Sequence, residues 1–113
     1  MNIQKLKKSF GYALRGLGLV FKSEQNFRIQ VLLGIFALAL GLFLQISALR
    51  FIFLVTVIVL VLILECINTA VEYVADSIKP RLSEQVKMIK DIMAGAVLLA
   101  SILSIIIGIW IFL

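Results

Sequence analysis

The chain carries a long apolar run, Phe51 to Leu64, that ends abruptly at the carboxylate of Glu65. If one helix continues past this point, polar residues at i, i+3, i+7 and i+11 point within about 80° of one another. They form a polar stripe made of Glu65, Asn68, Glu72 and Asp76. Carboxylates crowded at the edge of an apolar span resist desolvation unless a cation or a reacting group lies among them. The stripe is therefore a candidate functional site, although Glu72 and Asp76 also fit a helix emerging into water.

The composition requires lipid as the solvent. The chain has 113 residues, of which 63% are hydrophobic and 15% charged, and a soluble domain of this size could not bury so much apolar surface. The single cysteine excludes an internal disulfide. Because histidine is absent, a metal site would use oxygen ligands, which suit magnesium better than zinc. The net charge of +5 comes without a clustered basic patch, which favours a membrane over nucleic acid as partner.

The first part of the chain predicts a surface helix over residues 3–22. Apolar residues recur there at helical spacing, and the lysines lie largely elsewhere on the wheel, which is typical of an amphipathic helix in the headgroup region. A polar interruption, Phe21 to Arg28, follows, with Ser23 expected as a helix cap. Glu24 is either a first-turn acid that complements the helix dipole or a functional carboxylate.

Three membrane helices are expected over residues 29–48, 51–74 and 86–113, so residues 1–113 are predicted to form a single all-α membrane domain. The turn between the first two spans is very short, which makes these helices antiparallel neighbours. The loop from Ser77 to Lys87 contains the only proline and ends the second membrane helix. Ala94, Gly95 and Ala96 form a small-residue patch where another helix can approach closely.

The basic residues predict the orientation of the chain. Ten of the eleven lysines and arginines precede the first span or lie between the second and third, and only Arg50 lies in the opposite turn. The positive-inside rule therefore predicts a cytoplasmic N-terminus and a C-terminus outside the membrane. Five of the six acidic residues then gather at the cytoplasmic face beside Lys90: Glu24, Glu65, Glu72, Asp76 and Asp91.

These residues supply the parts that phosphoryl transfer needs. The reaction uses divalent cations to neutralise phosphates, a positive group to hold them and a base beside the attacking hydroxyl. Glu72 and Glu24 are candidates to bind magnesium, and Lys90 is a candidate to bind phosphate. Glu65, the carboxylate deepest toward the lipid, is placed to take a proton from a lipid hydroxyl. The absence of a Gly-rich phosphate loop excludes P-loop and conventional kinase folds.

The same motifs resemble one known family. The run Glu65-Cys-Ile-Asn-Thr-Ala-Val-Glu72, followed by Asp76 and by Lys90-Asp91 with Ala-Gly-Ala-Val, resembles the small bacterial integral-membrane lipid kinases, the diacylglycerol kinase and undecaprenol kinase family. The runs Gly-Tyr-Ala-Leu-Arg-Gly and Glu-Gln-Asn-Phe-Arg near the N-terminus also look like that family. The resemblance runs from about residue 9 to residue 100. Its motif, ExxNxxxExxxD at a membrane edge followed by KD, is specific.

The resemblance implies an ATP- and magnesium-dependent lipid kinase of the bacterial cytoplasmic membrane, a homotrimer with a surface helix and three membrane helices. It implies Glu65 as the general base and Glu24 with Glu72 as magnesium ligands. Nucleotide and phosphate contacts would come from Lys5, Tyr12, Asn68, Asp76, Arg81, Leu82, Ser83, Lys90 and Asp91. Contacts to the lipid alcohol would come from Ser9, Arg15, Phe27, Arg28 and Glu65.

The chain departs from the family pattern at two places. Some relatives have an acid where this chain has Gln30, and many have an aromatic-histidine pair where it has Leu82-Ser83, which leaves nucleotide preference open. The Glu-Gln-Asn-Phe-Arg-Ile run and the Ala-Gly-Ala-Val-Leu patch look more like the Gram-positive branch of the family. The resemblance therefore favours undecaprenol over diacylglycerol as the substrate.

Two other functions fit part of the sequence. A small ion- or proton-translocating subunit would use Glu65, but such a carboxylate is expected near mid-bilayer and Glu65 lies at the end of its span. A membrane-permeabilising or scaffold protein would fit the hairpin topology and the basic charge, but it gives no reason for four polar groups on one helix face.

Overall fold

Four helices account for nearly all of the residues that the structure describes. The computed structural model describes residues 2–78 and 83–113, apart from the side chain of Ser83. In chain order the helices are α1 (Ile3–Ser23), α2 (Gln25–Phe43), α3 (Ala48–Ser77) and α4 (Ser83–Phe112). Three segments, Gln25–Phe43, Ala48–Ser77 and Glu84–Phe112, are long and apolar enough to cross a membrane. Over these residues, the prediction of an all-helical chain with three helices long and apolar enough to span a membrane is confirmed.

A break of one residue separates α1 from α2. α1 begins at Asn2, whose side-chain oxygen accepts hydrogen bonds from the backbone N–H groups of Gln4 and Lys5. It ends at Ser23, and Glu24 alone adopts an extended conformation, with φ −115° and ψ 111°, before α2 begins. The prediction that Ser23 caps the second helix is wrong, because Glu24 occupies that N-cap position, without a side-chain capping hydrogen bond.

α2 begins and ends earlier than the span predicted at residues 29–48. It ends at Phe43 because Gln45 has a φ of 54°, a left-handed conformation that does not continue a helix. The hydroxyl of Ser47 then accepts a 3.2 Å hydrogen bond from the backbone N–H of Arg50 and so caps α3. α3 and α4 are both longer than the spans predicted at residues 51–74 and 86–113.

The central helix is α3, which packs most extensively against α4 and also contacts α2 and α1. Its buried side chains recur every three or four residues on one face: Leu54, Val57, Val61, Glu65 and Thr69. The apolar part of this face therefore continues directly into the polar stripe. As a result, the stripe begins inside the helix bundle.

The end of the bundle opposite the stripe is held together by contacts between α3 and α4. The guanidinium of Arg50 lies over the ring of Trp110 at 5.2 Å from its centroid. One of its nitrogens donates a 3.4 Å hydrogen bond to the carbonyl oxygen of Ile111 near the end of α4. Phe53 meets Trp110 edge to face, with ring centroids 5.7 Å apart. These contacts fix the start of α3 against the end of α4.

α2 approaches α3 closely at Gly34. A Cβ atom added at Gly34 would lie 2.9 Å from Cγ2 of Ile58, closer than real Cβ contacts. Ile58 yields little, because its β-branched side chain is restricted at χ1. Gly34 lies one helical turn after Gln30, and Ile58 lies two turns before Glu65. The close approach therefore sets the separation of α2 and α3 beside the polar stripe.

We expect Gly34→Ala to lower the free energy of unfolding by about 1–3 kcal/mol, because the added methyl group overpacks the contact with Ile58. Thermal unfolding of the detergent-solubilised protein measures the effect. Ile58→Leu removes the methyl group that the new Cβ would meet, so the double variant should regain part of the lost stability. Gly34→Ala with wild-type stability would contradict the close approach.

Candidate active site

The polar stripe crosses from the interior of the bundle to its surface. α3 continues without a break through all four of its residues. Glu65 is only 4% exposed, Asn68 and Glu72 are half-buried, and Asp76 is exposed. One rigid helix therefore presents a buried carboxylate, then partly solvated polar groups, then a charge in water.

The buried carboxylate of Glu65 is held by a side chain from α2. Nε2 of Gln30 donates a 3.0 Å hydrogen bond to Oε1 of Glu65. The hydroxyl of Thr69, itself buried, donates a 2.9 Å bond to the backbone carbonyl oxygen of Glu65. The carboxylates of Glu24 and Glu72 lie within electrostatic range of Glu65. The charges of the acid that precedes α2 and of a second acid on α3 therefore act on Glu65.

The sequence analysis noted Gln30 as a departure from the family pattern but did not predict its contact with Glu65. A signal was present, because a carboxamide inside a membrane helix needs a polar partner. α2 begins at Gln25, which places Gln30 more than one turn inside the helix. The partner itself is not readable from the sequence pattern, since it lies on another helix.

Glu72 is oriented by its own helix. Nδ2 of Asn68 donates a 3.1 Å hydrogen bond to Oε1 of Glu72, one turn further along α3. The bond fixes one carboxylate oxygen of Glu72 and limits the rotamers of the side chain. Asn68 thus acts on Glu72 in this chain, as a link between two members of the polar stripe.

The outer end of the stripe pairs with α4. Nζ of Lys90 lies 2.6 Å from Oδ1 of Asp76, and 31% and 57% of their side chains, respectively, are exposed. Ion pairs this exposed contribute little stability. Asp91 follows Lys90 and is exposed. The packing of α3 on α4 therefore brings Lys90 beside Asp76, at the end of α3 that also carries Glu72.

The junction between α1 and α2 carries Glu24 and is fastened by Arg28. A guanidinium nitrogen of Arg28 donates hydrogen bonds to the carbonyl oxygens of Phe21 at 2.7 Å and Lys22 at 2.9 Å. These carbonyls belong to the last turn of α1, where helical partners are missing. Arg28 thus has a structural use, and its contact with a lipid alcohol stays a prediction.

Phe27, another residue predicted to contact the lipid, is buried beneath α1. It lines an apolar cavity of about 560 Å³ between α1 and α3, together with Leu17, Phe21, Val59, Ile63 and Cys66. The cavity is lined almost entirely by hydrocarbon, and it lies beside the middle of α3, next to the start of the stripe.

The predicted site residues on α1 are not gathered at the stripe in this single chain. Lys5, Ser9, Tyr12 and Arg15 are all exposed. The guanidinium of Arg15 lies 5.6 Å from the centroid of the Tyr12 ring. α1 approaches α2 and α3 near its own C-terminal end, where Val20 is buried. The remaining predicted nucleotide contacts, Arg81, Leu82 and the side chain of Ser83, lie outside the described residues.

The donor set fits magnesium only as a partner of phosphate. Within residues 2–78 and 83–113, no three His, Cys, Asp or Glu side chains are grouped closely enough to bind a metal ion. Glu24 and Glu72 offer two carboxylates near Glu65. Magnesium typically uses one or two protein carboxylates and completes its shell with water and phosphate oxygens. Two acids thus suit a nucleotide-bound ion better than a free one.

The arrangement of these residues along the chain agrees with a known family. The family model described as prokaryotic diacylglycerol kinase matches residues 11–112. The chain belongs to this family. The resemblance inferred from the polar stripe and the Lys-Asp pair is therefore confirmed, and the family is one of lipid kinases.

Individual relatives carry two substrate names. The chain is 39% identical over 101 residues to a diacylglycerol kinase of Synechocystis sp.. The alignment covers 88% of this chain and 58% of that protein. It is 32% identical over 111 residues to the undecaprenol kinase of Bacillus subtilis, covering 98% of this chain and 90% of the relative. It is 30% identical over 102 residues to the diacylglycerol kinase of Escherichia coli, with coverages of 90% and 84%.

Proposed function

We propose that this protein transfers the γ-phosphate of ATP, with magnesium, to the hydroxyl group of a membrane lipid alcohol. The observation that carries the proposal is the gradient of burial along α3, from Glu65 inside the bundle to Asp76 in solvent. A lipid hydroxyl and a soluble nucleotide meet only where the apolar and aqueous phases touch. The polar stripe bridges that boundary on one helix.

Glu65 is the proposed general base. In this step the hydroxyl oxygen of the lipid attacks the γ-phosphorus, the bond from that phosphorus to the leaving oxygen of ADP breaks, and the hydroxyl proton passes to Glu65. Burial keeps bulk water away from the base, and this favours the lipid hydroxyl over water as the acceptor of the phosphoryl group. A cation is not needed to hold Glu65 in place, because Gln30 already donates to one of its oxygens.

Glu72 and Glu24 are the proposed magnesium ligands. When bound, magnesium neutralises negative charge on the phosphate oxygens of the nucleotide. The hydrogen bond from Asn68 holds Glu72 in a fixed orientation. Glu24 has no capping hydrogen bond to its own helix, which leaves its carboxylate available for this role.

Lys90 is the proposed phosphate contact, with Asp76 and Asp91 beside it. Its pair with Asp76 holds the ammonium group at the open end of the stripe. Because Asp76 holds this ammonium, the lysine is positioned before the nucleotide arrives. A phosphate group of the nucleotide then competes with Asp76 for it. Lys5, Tyr12 and the 81–83 segment remain proposed contacts to the nucleotide.

Ser9, Arg15, Phe27 and Arg28 remain proposed contacts to the lipid alcohol. The alcohol's hydrocarbon chain requires apolar space next to Glu65. A groove of about 430 Å³ between α2, α3 and α4 offers such space one turn before Glu65, where Leu33, Val61 and Ile105 line it.

Of the two alcohols in the names of the relatives, we propose undecaprenol as the favoured substrate and diacylglycerol as the next. The undecaprenol kinase of Bacillus subtilis aligns with 98% of this chain and 90% of its own length. The choice itself rests on the Glu-Gln-Asn-Phe-Arg-Ile and Ala-Gly-Ala-Val-Leu runs.

A homotrimer in the bacterial cytoplasmic membrane is part of the proposal. In one chain α1 leaves Tyr12 and Lys5 exposed and away from the stripe, so a neighbouring copy offers a route to a complete site. A side chain at Gly95 would meet no atom within 4 Å, so this small residue faces open space in one chain. We propose that the end of the bundle with Glu24, Asp76 and Lys90 faces the cytoplasm, because most of the basic residues lie in the segments at that end.

The geometry disfavours the ion-translocating alternative. Glu65 lies about 26 Å along α3 from its first residue at 1.5 Å per residue, in a hydrocarbon layer about 30 Å thick. The carboxylate is therefore close to one boundary of the membrane. Its partners lie further toward the same side, so they do not form a path across the bilayer.

We expect Glu65→Gln to lower kcat for lipid phosphorylation at least about 100-fold, because the amide cannot accept the hydroxyl proton. Transfer of labelled γ-phosphate from ATP to lipid in mixed micelles measures this. The adjacent substitution Cys66→Ala, which removes no acid, should keep wild-type activity. Full activity of Glu65→Gln in folded protein would refute the assignment of the base.

The same assay with undecaprenol and diacylglycerol in parallel tests the substrate class. We expect labelled undecaprenyl phosphate to exceed labelled phosphatidic acid at equal alcohol concentrations. An excess of phosphatidic acid would retain the kinase and reverse the proposed preference. The absence of both products from folded protein would reject the kinase itself.

Glu72→Gln should raise the magnesium concentration needed for half-maximal activity by at least about tenfold, because a charged ligand is lost. A titration of magnesium at saturating ATP and lipid measures the shift. Glu84→Gln is the matched control, since Glu84 is an exposed acid in the first turn of α4 and has no proposed role. Equal magnesium requirements for both variants would argue against Glu72 as a ligand.

A further inference from the structure

We infer that Gln30 is a positioning residue for the reaction proposed above, on which this inference rests. Its carboxamide holds one oxygen of Glu65, so that the other carboxylate oxygen is directed to the lipid hydroxyl. The residue belongs to α2, whereas the base belongs to α3. Activity would therefore depend on a contact between the first two membrane helices.

The hydrogen bond defines which oxygen of Glu65 is available. Nε2 of Gln30 donates to Oε1 at 3.0 Å, and this N–H keeps its proton throughout the reaction. The hydroxyl proton moves to Oε2 of Glu65 as the new oxygen–phosphorus bond forms and the bond to ADP breaks. Gln30 thus exchanges no proton or electron pair with the substrate, and it acts only through Glu65.

The other end of the Gln30 side chain argues against a purely stabilising role. Oε1 of Gln30 is buried and has no hydrogen-bond partner among the described residues. A buried acceptor without a partner lowers stability. An apolar side chain at this position would avoid the cost of the buried acceptor. A carboxamide that donates its N–H to Glu65 necessarily carries the acceptor oxygen as well.

The backbone supports the contact from the same side. One turn beyond Gln30, Gly34 lets α2 approach α3 so closely that a Cβ added there would lie 2.9 Å from Cγ2 of Ile58. This approach brings the two helices together on the faces that carry Gln30 and Glu65. The length of the hydrogen bond is therefore controlled by helix packing as well as by the side chains.

Gln30→Met tests the inference, because methionine has a similar length and lacks both the donor and the unpaired acceptor. We expect kcat to fall up to about 100-fold, the effect of a misplaced reacting group. The KM values for ATP and for lipid should stay within twofold, and the apparent melting temperature should not fall. Thr56→Val is the matched control, since it removes one side-chain hydrogen bond of 2.8 Å to the carbonyl of Ile52 on α3.

Four outcomes would overturn the inference. Unchanged kcat in Gln30→Met would show that Glu65 needs no such partner. A raised KM for lipid at unchanged kcat would make Gln30 a substrate contact instead. A lower melting temperature that parallels the loss of kcat would make its role structural. If wild type and Thr56→Val phosphorylate neither alcohol, the proposed function fails first, and the inference fails with it.

Discussion

The burial of one carboxylate governs the structure. An ionised carboxylate removed from water without a partner costs several kcal/mol, and Glu65 is 4% exposed. The partner of Glu65 is the carboxamide of Gln30 and not a cation. A lysine ammonium at the same place would pair with Glu65 and lower its basicity, whereas Gln30 satisfies one oxygen and adds no charge. Lys90 instead pairs with Asp76 at the exposed end of the same stripe.

The depth of the stripe follows from the length of one helix. α3 covers Ala48–Ser77 without a break, so its apolar half and its polar half move as one rigid body. The contacts of Arg50 with Trp110 and Ile111 fix its far end against α4. Because the apolar half of α3 lies in the membrane, the depth of this helix also sets the depth of Glu65 and Glu72.

Sequence reasoning identified the features that depend on neighbouring residues. The three spans follow from apolar runs, and the stripe follows from helical periodicity, so Glu65, Asn68, Glu72 and Asp76 were located on one face. It failed where the cause is distant or a matter of backbone conformation. The partners Gln30 and Glu65 are 35 residues apart. The end of α2 depends on the left-handed Gln45. The predicted roles of Lys5 and Tyr12 concern contacts that the described part of one chain does not contain.

The single extended residue between α1 and α2 couples the orientation of these two helices. Glu24 forms the junction between α1 and α2. Arg28 of α2 holds the two helices together by donating hydrogen bonds to the carbonyl oxygens of Phe21 and Lys22. No flexible linker is left to absorb a change in the tilt of α1. A change in the angle of α1 relative to α2 is therefore coupled to a change in the direction of the Glu24 carboxylate. An ion bound by Glu24 would lock that angle, and a surface that tilts α1 would turn the ligand.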